Sequence, residues 1–388
     1  MITMRATLLR TILNRTHCST HRPGEPAVTT PHMPLTVTLI LGTCPPERRT
    51  VARQIAGRSA ALVTIERQDD AESAHPDIDD AIDAVARHPL APRHLVLDCG
   101  STVRPVDAVS AVLGHRDTAV LDAVVTVVDA AHLLHDLQDD EYVTHDEDGD
   151  TAYTARSMIT VEQLEYADTI AVAGRRGVTH ERLAVLLALL SHLNPTALTR
   201  MVEPVAARPR VTPGAPATAS TREPLARYRD SPFELDRFST SPGWIAMLNG
   251  EHRPWVDHDR VTTLRFDSPR PMHPERLLAC FDGPIEAGRF GQVIRTAGFL
   301  VLATRASRVG VLQHVGSMID LEPTSFETND PGAPLGQELV VTGIDLDEVA
   351  ISAALHACTL TDEELLAGPV AWAHYPDAFT PWSTTHER

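Results

Sequence analysis

The chain has 388 residues, enough for two domains that each bury a core of their own. Its formal net charge of −18 argues against a broad DNA- or RNA-binding surface, although not against a local arginine patch. No apolar run approaches the ~20 residues of a membrane helix, and five scattered cysteines without a CxxC pair indicate a reducing, cytoplasmic setting and no dedicated cysteine zinc site.

The first 34 residues are predicted to be a flexible N-terminal extension. Residues 1–32 carry four arginines and one acid and lack the apolar core of a signal peptide. A flexible segment, or an upstream start codon with Met33 as the functional start, therefore fits this stretch better than a targeting peptide.

Residues 35–203 show an alternation of short apolar strands and helices. The predicted strands are Val37–Leu41, Ala61–Ile65, His94–Asp98, Ala123–Asp129 and Thr169–Ala173. The predicted helices are Arg49–Ala56, Ile82–Arg87, Val106–Gly114, one that closes at Gln163–Asp168, and Glu181–Leu193. The acidic stretch Glu66–Asp80 is expected to be mobile. This rhythm predicts an α/β domain with a doubly wound, mostly parallel sheet that is covered on both faces.

Residues 204–232 break this rhythm and are predicted to be a proline-rich, semi-rigid linker. In residues 233–388 the strands are grouped and helices are fewer, which favours a smaller α+β domain. Its predicted strands are Thr262–Phe266, Phe299–Ala303, Gly310–Val315 and Glu338–Thr342, and its predicted helices include Leu277, Leu278 and Glu348–Cys358.

The segment TVTLILGTCPPERRTVARQIAG (36–57) has the strand, glycine-led loop and helix of a phosphate-binding P-loop, GxxxxGK[ST]. Aligned from Gly42, the second glycine falls on Glu47, the lysine on Arg48 and the hydroxyl residue on Arg49, with Thr50 after it. Only the first glycine of the motif is present. The segment therefore predicts a P-loop scaffold whose phosphate chemistry has been lost.

The substitutions explain this loss in physical terms. A P-loop binds phosphate with consecutive backbone N–H groups and a helix N-terminus. Pro45 and Pro46 each remove one donor, and Glu47 places a carboxylate where phosphate oxygens belong. Arg48 retains a positive charge, but Arg49 cannot ligate Mg²⁺ as a hydroxyl does.

Several phrases in order along the chain resemble the CobW-like GTPases, a P-loop family that includes metal chaperones and metal-homeostasis factors. The phrases are AVVTVVDAAHLL, VEQLEYAD and LNPTA in the first domain, and RPMHPERL, GQVIRTAGFLVLATR, ELVVTGIDLDEVAISAALHACTLTDEEL and DAFTPW in the second. The resemblance spans Leu35–Trp382. It implies a G-domain followed by a CobW C-terminal module, and GTP with Mg²⁺ as the family's cofactors.

Two further family features are absent from this sequence. The position of the guanine-recognition motif NKxD reads Ala173-Gly174-Arg175-Arg176, so the aspartate that accepts hydrogen bonds from guanine is missing. The metal-binding GCxCC segment is also missing, since no cysteine lies between Cys44 and Cys99. The acidic strand that would hold Mg²⁺ retains Asp98 and Gly100.

These losses favour a pseudo-GTPase with no catalytic residues, no metal ligands and no cofactor, which uses its surfaces for binding. The resemblance to actinobacterial members implies a cytoplasmic adaptor in zinc limitation, with a protein partner, a ribosome and a hibernation factor, and with no DNA or membrane partner. The alternative is a divergent GTPase that binds GTP and Mg²⁺ through Gly42, Arg48, Thr50 and Asp98. The sequence also has a basic cluster at Arg200–Arg237. It is interpreted as a solubilising linker rather than as a contact surface for an acidic partner or rRNA.

Two other groups of side chains have competing interpretations. His132, His135 and His145 lie among acids, which favours a solvated acidic loop over a zinc-buffering site. Cys44 and Cys99 both follow predicted strands, at the edge where α/β proteins bind ligands. They form either a shared site or two ordinary turn residues, and the latter is favoured.

Overall fold

The computed structural model describes residues 33–65, 75–88, 90–147, 150–202 and 233–382. The predicted N-terminal extension, apart from residues 33 and 34, and the predicted linker lie outside the described residues. So do residues 66–74 of the acidic stretch that was expected to be mobile.

Six parallel strands form the first sheet. They are β1 (Leu35–Leu41), β2 (Ala61–Thr64), β3 (His94–Asp98), β4 (Ala119–Asp129), β7 (Thr169–Ala173) and β8 (Leu198–Met201). Their order is β2-β3-β1-β4-β7-β8, so β1 is central and its carboxyl end lies between the carboxyl ends of β3 and β4. A separate antiparallel hairpin consists of β5 (Tyr142–Glu147) and β6 (Asp150–Ala155).

Helices cover both faces of this sheet, which confirms the doubly wound prediction. They are α1 (Pro45–Ala56), α2 (His75–Arg87), α3 (Pro105–Gly114), α4 (Leu133–Asp136), α5 (Arg156–Glu165) and α6 (His180–Leu193). Alternate residues of β1 face opposite sides: Leu39 joins the core beneath α2 and α3, whereas Ile40 packs with Val51 of α1. Both β1 residues are fully buried, as expected for the central strand of a two-faced parallel sheet.

The sequence prediction was wrong at several boundaries. Helix α1 begins at Pro45, one turn before the predicted Arg49, because proline fits the first helical positions, where its missing N–H has no acceptor. Helix α2 already begins at His75, within the stretch that was expected to be mobile. The acidic segment Asp136–Asp150 contains β5, and β8 was not predicted at all.

The second sheet has five antiparallel strands. They are β9 (Val261–Ser268), β10 (Gln292–Leu300), β11 (Arg308–Val315), β12 (Met318–Glu327) and β13 (Gln337–Ile344), in the order β12-β11-β10-β13-β9. The helices of this region are α7 (Leu235–Thr240), α8 (Gly243–Leu248), α9 (Pro274–Cys280), α10 (Glu348–Ala357) and α11 (Asp362–Trp372). The predicted strand Phe299–Ala303 was displaced: β10 ends at Leu300, and Ala303–Arg305 is a 3₁₀ turn.

The two sheets share a core and a buried ion pair. Val261, Ile294 and Val315 of the second sheet pack into one apolar cluster with Leu186 and Leu189 of α6. Beside it, Arg295 Nε of β10 donates to Glu165 Oε1 at the end of α5 at 2.9 Å, and Nη2 donates to Oε2 at 3.1 Å. Both side chains are 2% exposed. This pair fixes how the second sheet sits on α5.

Candidate functional site

The loop between β1 and α1 is too short to wrap an anion. Only Gly42, Thr43 and Cys44 separate the last residue of β1 from the first residue of α1. The first two helical positions are Pro45 and Pro46, which have no N–H to donate, and the Arg48 N–H is already bonded to the Cys44 carbonyl. The residues that would wind around a phosphate in a P-loop are thus part of the helix.

Gly42 is required here by the packing of two strands. Its φ is +134°, and a Cβ at this position would lie 2.1 Å from the carbonyl oxygen of Val127 on β4. A side chain is therefore excluded by the neighbouring backbone, whether or not an anion binds.

The two charged residues predicted to meet nucleotide and Mg²⁺ are instead bonded to each other. Arg48 Nε donates to Asp98 Oδ1, and Arg48 Nη1 donates to the carbonyl of Gly42 at 2.6 Å. The side chain of Arg48 is 5% exposed and that of Asp98 is fully buried. The guanidinium lies beneath the β1–α1 loop, and the carboxylate that would face a metal ion is neutralised by it.

Thr50 does not join this group. Its hydroxyl donates to the Pro46 carbonyl at 2.8 Å, one turn back along α1. Of the four sequence-predicted site residues, the structure brings Gly42, Arg48 and Asp98 together as a buried internal network and leaves Thr50 on the helix. These residues do not fit a nucleotide phosphate with Mg²⁺, because Pro45 and Pro46 have no N–H to donate, Arg48 is bonded to Asp98 and Gly42, and the Thr50 hydroxyl is bonded within the helix.

The segment that replaces the guanine-recognition motif closes against β4. Gly174 has φ +66°, and a Cβ on it would lie 2.0 Å from Asp129 Oδ1. Asp129 ends β4 and is nearly buried. One of its oxygens accepts from Ala131 N at 2.7 Å, and the other lies 3.2 Å from His132 Nδ1.

Cys44, Glu47 and Asp129 converge at the carboxyl edge of the sheet, in a group we call the edge cluster. One potential ligand atom from each residue, a sulfur and two carboxylate oxygens, lies within 4.8 Å of the other two. Asp136 borders the cluster: Thr43 Oγ1 donates to its Oδ2 at 2.6 Å, and Cys44 Sγ lies 3.9 Å from the same oxygen. The cluster thus collects negative charge around one thiol.

The thiol of Cys44 responds to this environment. Burial, and secondarily the nearby carboxylate of Asp136, raise the pKa of Cys44 to about 11, although the Thr43 hydroxyl opposes the shift. A thiol with so high a pKa is protonated at neutral pH and is a poor nucleophile. The arrangement therefore does not suit cysteine catalysis.

Next to the edge cluster lies a small polar cavity of about 100 Å³. It is lined by Thr43, Ser101, Thr102, Asp136, Asp139, Val143, Arg156, Ile159 and Thr160. Arg156 is engaged on the rim, where its Nε lies 3.1 Å from Glu141 Oε2. Asp136 therefore lines this cavity as well as bordering the edge cluster.

The other sequence candidates are not brought together in the part of the chain that the structure describes. Cys99 is buried, its thiol donates to the Leu97 carbonyl at 3.6 Å, and it is not a member of the edge cluster. Of the histidines, His132 contacts Asp129, whereas His135 is exposed. The side chain of His145 lies outside the described residues, as does most of the arginine cluster.

The edge cluster was not predicted from the sequence, although a usable signal was present. Cys44 follows β1 and Asp129 ends β4, and these strands are parallel neighbours. Because the carboxyl ends of adjacent parallel strands meet at one edge, the two residues were bound to be close.

Comparison with known proteins agrees with this architecture. Residues 261–359 match the family model of the cobalamin synthesis protein cobW C-terminal domain. The fold and this match define a two-domain protein, a doubly wound α/β domain followed by a cobW-type C-terminal domain. Residues 261–359 thus form a cobW-type C-terminal domain, and the chain as a whole is similar to CobW-like proteins.

Two curated relatives have names that refer to zinc. "Zinc-regulated GTPase metalloprotein activator 1" of Dictyostelium discoideum is 27% identical over 290 residues, which cover 68% of this chain and 57% of that protein. "Zinc chaperone Rv0106" of Mycobacterium tuberculosis is 28% identical over 308 residues, 71% of this chain and 67% of the relative. The chain thus spans little more than half the length of the Dictyostelium protein.

Among solved structures, the zinc-bound YjiA GTPase from E. coli aligns over 85% of this chain and 100% of its own, with 16% identity and a TM-score of 0.34. Separately, none of the helices in the described ranges combines the length and apolarity needed to cross a bilayer.

Proposed function

We propose that this CobW-like chain acts in metal homeostasis as a cytoplasmic binding protein that does not hydrolyse nucleotide. The observation that carries the proposal is the buried bond between Arg48 and Asp98 beneath a helix that starts at Pro45. The cation that a nucleotide would need and the carboxylate that Mg²⁺ would need form an ion pair with each other. Binding of a triphosphate would require breaking this pair and unwinding the first turn of α1.

The metal-homeostasis part of the proposal is supported by two relatives, which are named as a zinc-regulated activator and a zinc chaperone. The finer part, an adaptor that brings a hibernation factor to ribosomes during zinc limitation, rests on the resemblance to actinobacterial members. With a net charge of −18, a contact made through protein is favoured over a contact with RNA.

Nucleotide titration tests the first part. The full chain is unfolded thermally with millimolar GTP, GDP, ATP or ADP and Mg²⁺, beside a nucleotide-binding GTPase as positive control. A ligand present at ~100 times its Kd stabilises the folded state by about 2.7 kcal/mol. We expect the control to shift and this protein not to shift. A magnesium-dependent shift with any of these nucleotides would overturn the proposal.

Such a shift would favour the second candidate, a divergent GTPase of metal homeostasis. The observation on its side is that the Dictyostelium relative is named a GTPase. A steady-state release of phosphate from GTP, lost in an Asp98→Asn variant, would then establish it.

Sedimentation tests the adaptor part. Ribosomes from zinc-starved and zinc-replete cells are pelleted through sucrose, and both the protein and any captured hibernation factor are quantified. We expect enrichment in the ribosomal pellet under zinc starvation. If the protein stays in the supernatant and captures no hibernation factor, the adaptor role is wrong, whatever the outcome of the nucleotide titration.

A further inference from the structure

We propose that the edge cluster, Cys44, Glu47 and Asp129, is a binding site for a zinc-class divalent cation. The site lies at the loop where the resemblance would place nucleotide, and it differs from the cysteine-rich segment that this sequence lacks. The inference deepens the proposed function, and rests on it, by giving the metal-homeostasis role a metal site in this chain.

The geometry of the three donors is close to that of a coordination shell. Zinc–sulfur and zinc–oxygen bonds of about 2.3 and 2.0–2.2 Å separate tetrahedral ligand atoms by roughly 3.3–3.7 Å. In the structure the three ligand atoms already lie within 4.8 Å of one another. Side-chain movements of about an ångström therefore complete the shell, without a change in either backbone segment.

The three donors are held on rigid parts of the fold. Cys44 is the N-cap residue of α1 and Glu47 lies in its first turn, so their spacing is set by the helix. Asp129 ends a strand buried in the sheet, and the Ala131 N–H fixes one of its oxygens at 2.7 Å. The second oxygen contacts only the exposed ring of His132 among the described side chains, and it is the one that can turn toward an ion.

A fourth ligand is available beside the cluster. His132 Nδ1 lies 3.2 Å from Asp129 Oδ2, and its ring is 65% exposed, so it is free to swing onto a metal or to stay as the partner of a ligating carboxylate. Asp136 Oδ2 lies 3.9 Å from the sulfur and accepts a hydrogen bond from the Thr43 hydroxyl beside the donors.

The charge balance of the cluster also points to a cation. Glu47 has no hydrogen bond or ion pair to another side chain among the residues that the structure describes, although it is only partly exposed and faces another carboxylate. The nearby guanidinium of Arg48 is turned away, to Asp98 and the Gly42 carbonyl. A divalent ion would relieve the repulsion between the carboxylates.

The donor set selects the class of metal. The Cys44 thiol releases its proton to solvent when a metal binds. The resulting thiolate disfavours Mg²⁺ and Ca²⁺, which take oxygen donors, while two carboxylates disfavour Cu⁺, which prefers sulfur. A mixed set of sulfur, oxygen and imidazole nitrogen suits Zn²⁺, and Co²⁺ serves as its spectroscopic substitute.

The test uses the full chain, stripped of metal with a chelator and kept reduced. Co²⁺ is titrated while the thiolate-to-cobalt charge-transfer band in the near ultraviolet is recorded, and Zn²⁺ is then added to displace it. We expect one equivalent of Co²⁺ to develop the band and Zn²⁺ to abolish it. In Cys44→Ser the band disappears, and in Glu47→Gln it remains while zinc affinity falls about tenfold or more.

Cys99→Ala is the matched control, because Cys99 also follows a strand next to β1 but lies outside the cluster; its band should be unchanged. If circular dichroism shows that Cys44→Ser does not fold, the zinc affinity of Glu47→Gln decides whether the proposal stands. That variant is expected to fold, because Glu47 lies in the partly exposed first turn of α1. The proposal is overturned if the wild type gives no band, if the band survives in a folded Cys44→Ser, or if Glu47→Gln binds zinc like the wild type. None of these results bears on nucleotide, so failure of the metal site and failure of the pseudo-GTPase proposal are separable.

Discussion

Removing the cation from the Arg48–Asp98 pair should destabilise the first domain strongly. In Arg48→Met the fully buried Asp98 carboxylate loses the cation bonded to it, and its Oδ2 already has no hydrogen-bond partner among the residues that the structure describes. Breaking a buried ion pair from one side costs about 3–5 kcal/mol, because the remaining charge stays uncompensated. For a domain of 150–250 residues this corresponds to a fall in Tm of about 6–20 °C.

The double variant Arg48→Met/Asp98→Leu distinguishes a buried charge from lost packing. Replacing both partners by apolar side chains removes the stranded charge, so we expect the double variant to be more stable than Arg48→Met alone. Arg87→Met is the control: its side chain is 75% exposed and its pair with Asp83 lies on the surface of α2, so it should cost at most about 0.5 kcal/mol.

The assay is urea unfolding of the four proteins followed by circular dichroism, with free energies compared at equal slopes. A cost for Arg48→Met no larger than that of Arg87→Met would refute the reasoning, because it would mean that Asp98 is solvated in the folded protein. A double variant less stable than Arg48→Met would refute it as well.

Three further predictions follow from other parts of the structure. Arg295→Met strands the buried partner of the interdomain pair and should cost about 3–5 kcal/mol in urea unfolding. Burial, and secondarily Arg295, lower the pKa of His314 to about 3. Between pH 6.5 and about 3 the unfolded chain therefore binds a proton that the folded chain does not, and the free energy of unfolding falls as the pH drops through that window. In His314→Phe this slope of unfolding free energy against pH should be smaller by up to about 1.4 kcal/mol per pH unit. Gly42→Ala forces a Cβ against the Val127 carbonyl, and overpacking and backbone strain should lower the unfolding free energy by roughly 2–6 kcal/mol. Gly57→Ala has open space around it and should lose only about 1–2 kcal/mol. Equal losses in the two variants would contradict this account.

The architecture was largely predictable, because the signals that carry it are local. The apolar run of β1 and the proline-led start of α3 follow from a few adjacent residues, and a parallel sheet follows from their alternation with helices. The strand β12 was missed because it lies at the edge of its sheet and most of its residues are at least partly exposed, so it lacks the apolar run that marks a buried strand.

The site was predictable only in part, because its chemistry depends on contacts between distant residues. The P-loop alignment and the family resemblance placed Arg48 and Asp98 in one site of the alternative interpretation, but did not predict the bond between them. That bond accompanies the start of α1 at Pro45, one turn before the predicted start at Arg49, which places the Arg48 guanidinium against Asp98 of β3. The edge cluster was not predicted for a different reason. Each of its residues has an ordinary local explanation, and only the neighbouring positions of β1 and β4 bring them together.

The pair between Glu165 and Arg295 joins positions 130 residues apart in the chain. During translation at about 5–20 residues per second, the arginine is made roughly 6–26 s after the glutamate that it neutralises. Through that interval the nascent N-terminal half carries an acid without its counter-ion and an apolar helix, α6, without its cover. We therefore expect a polypeptide truncated before the second sheet to depend on chaperones, and completion of the mature fold to wait until synthesis is nearly finished.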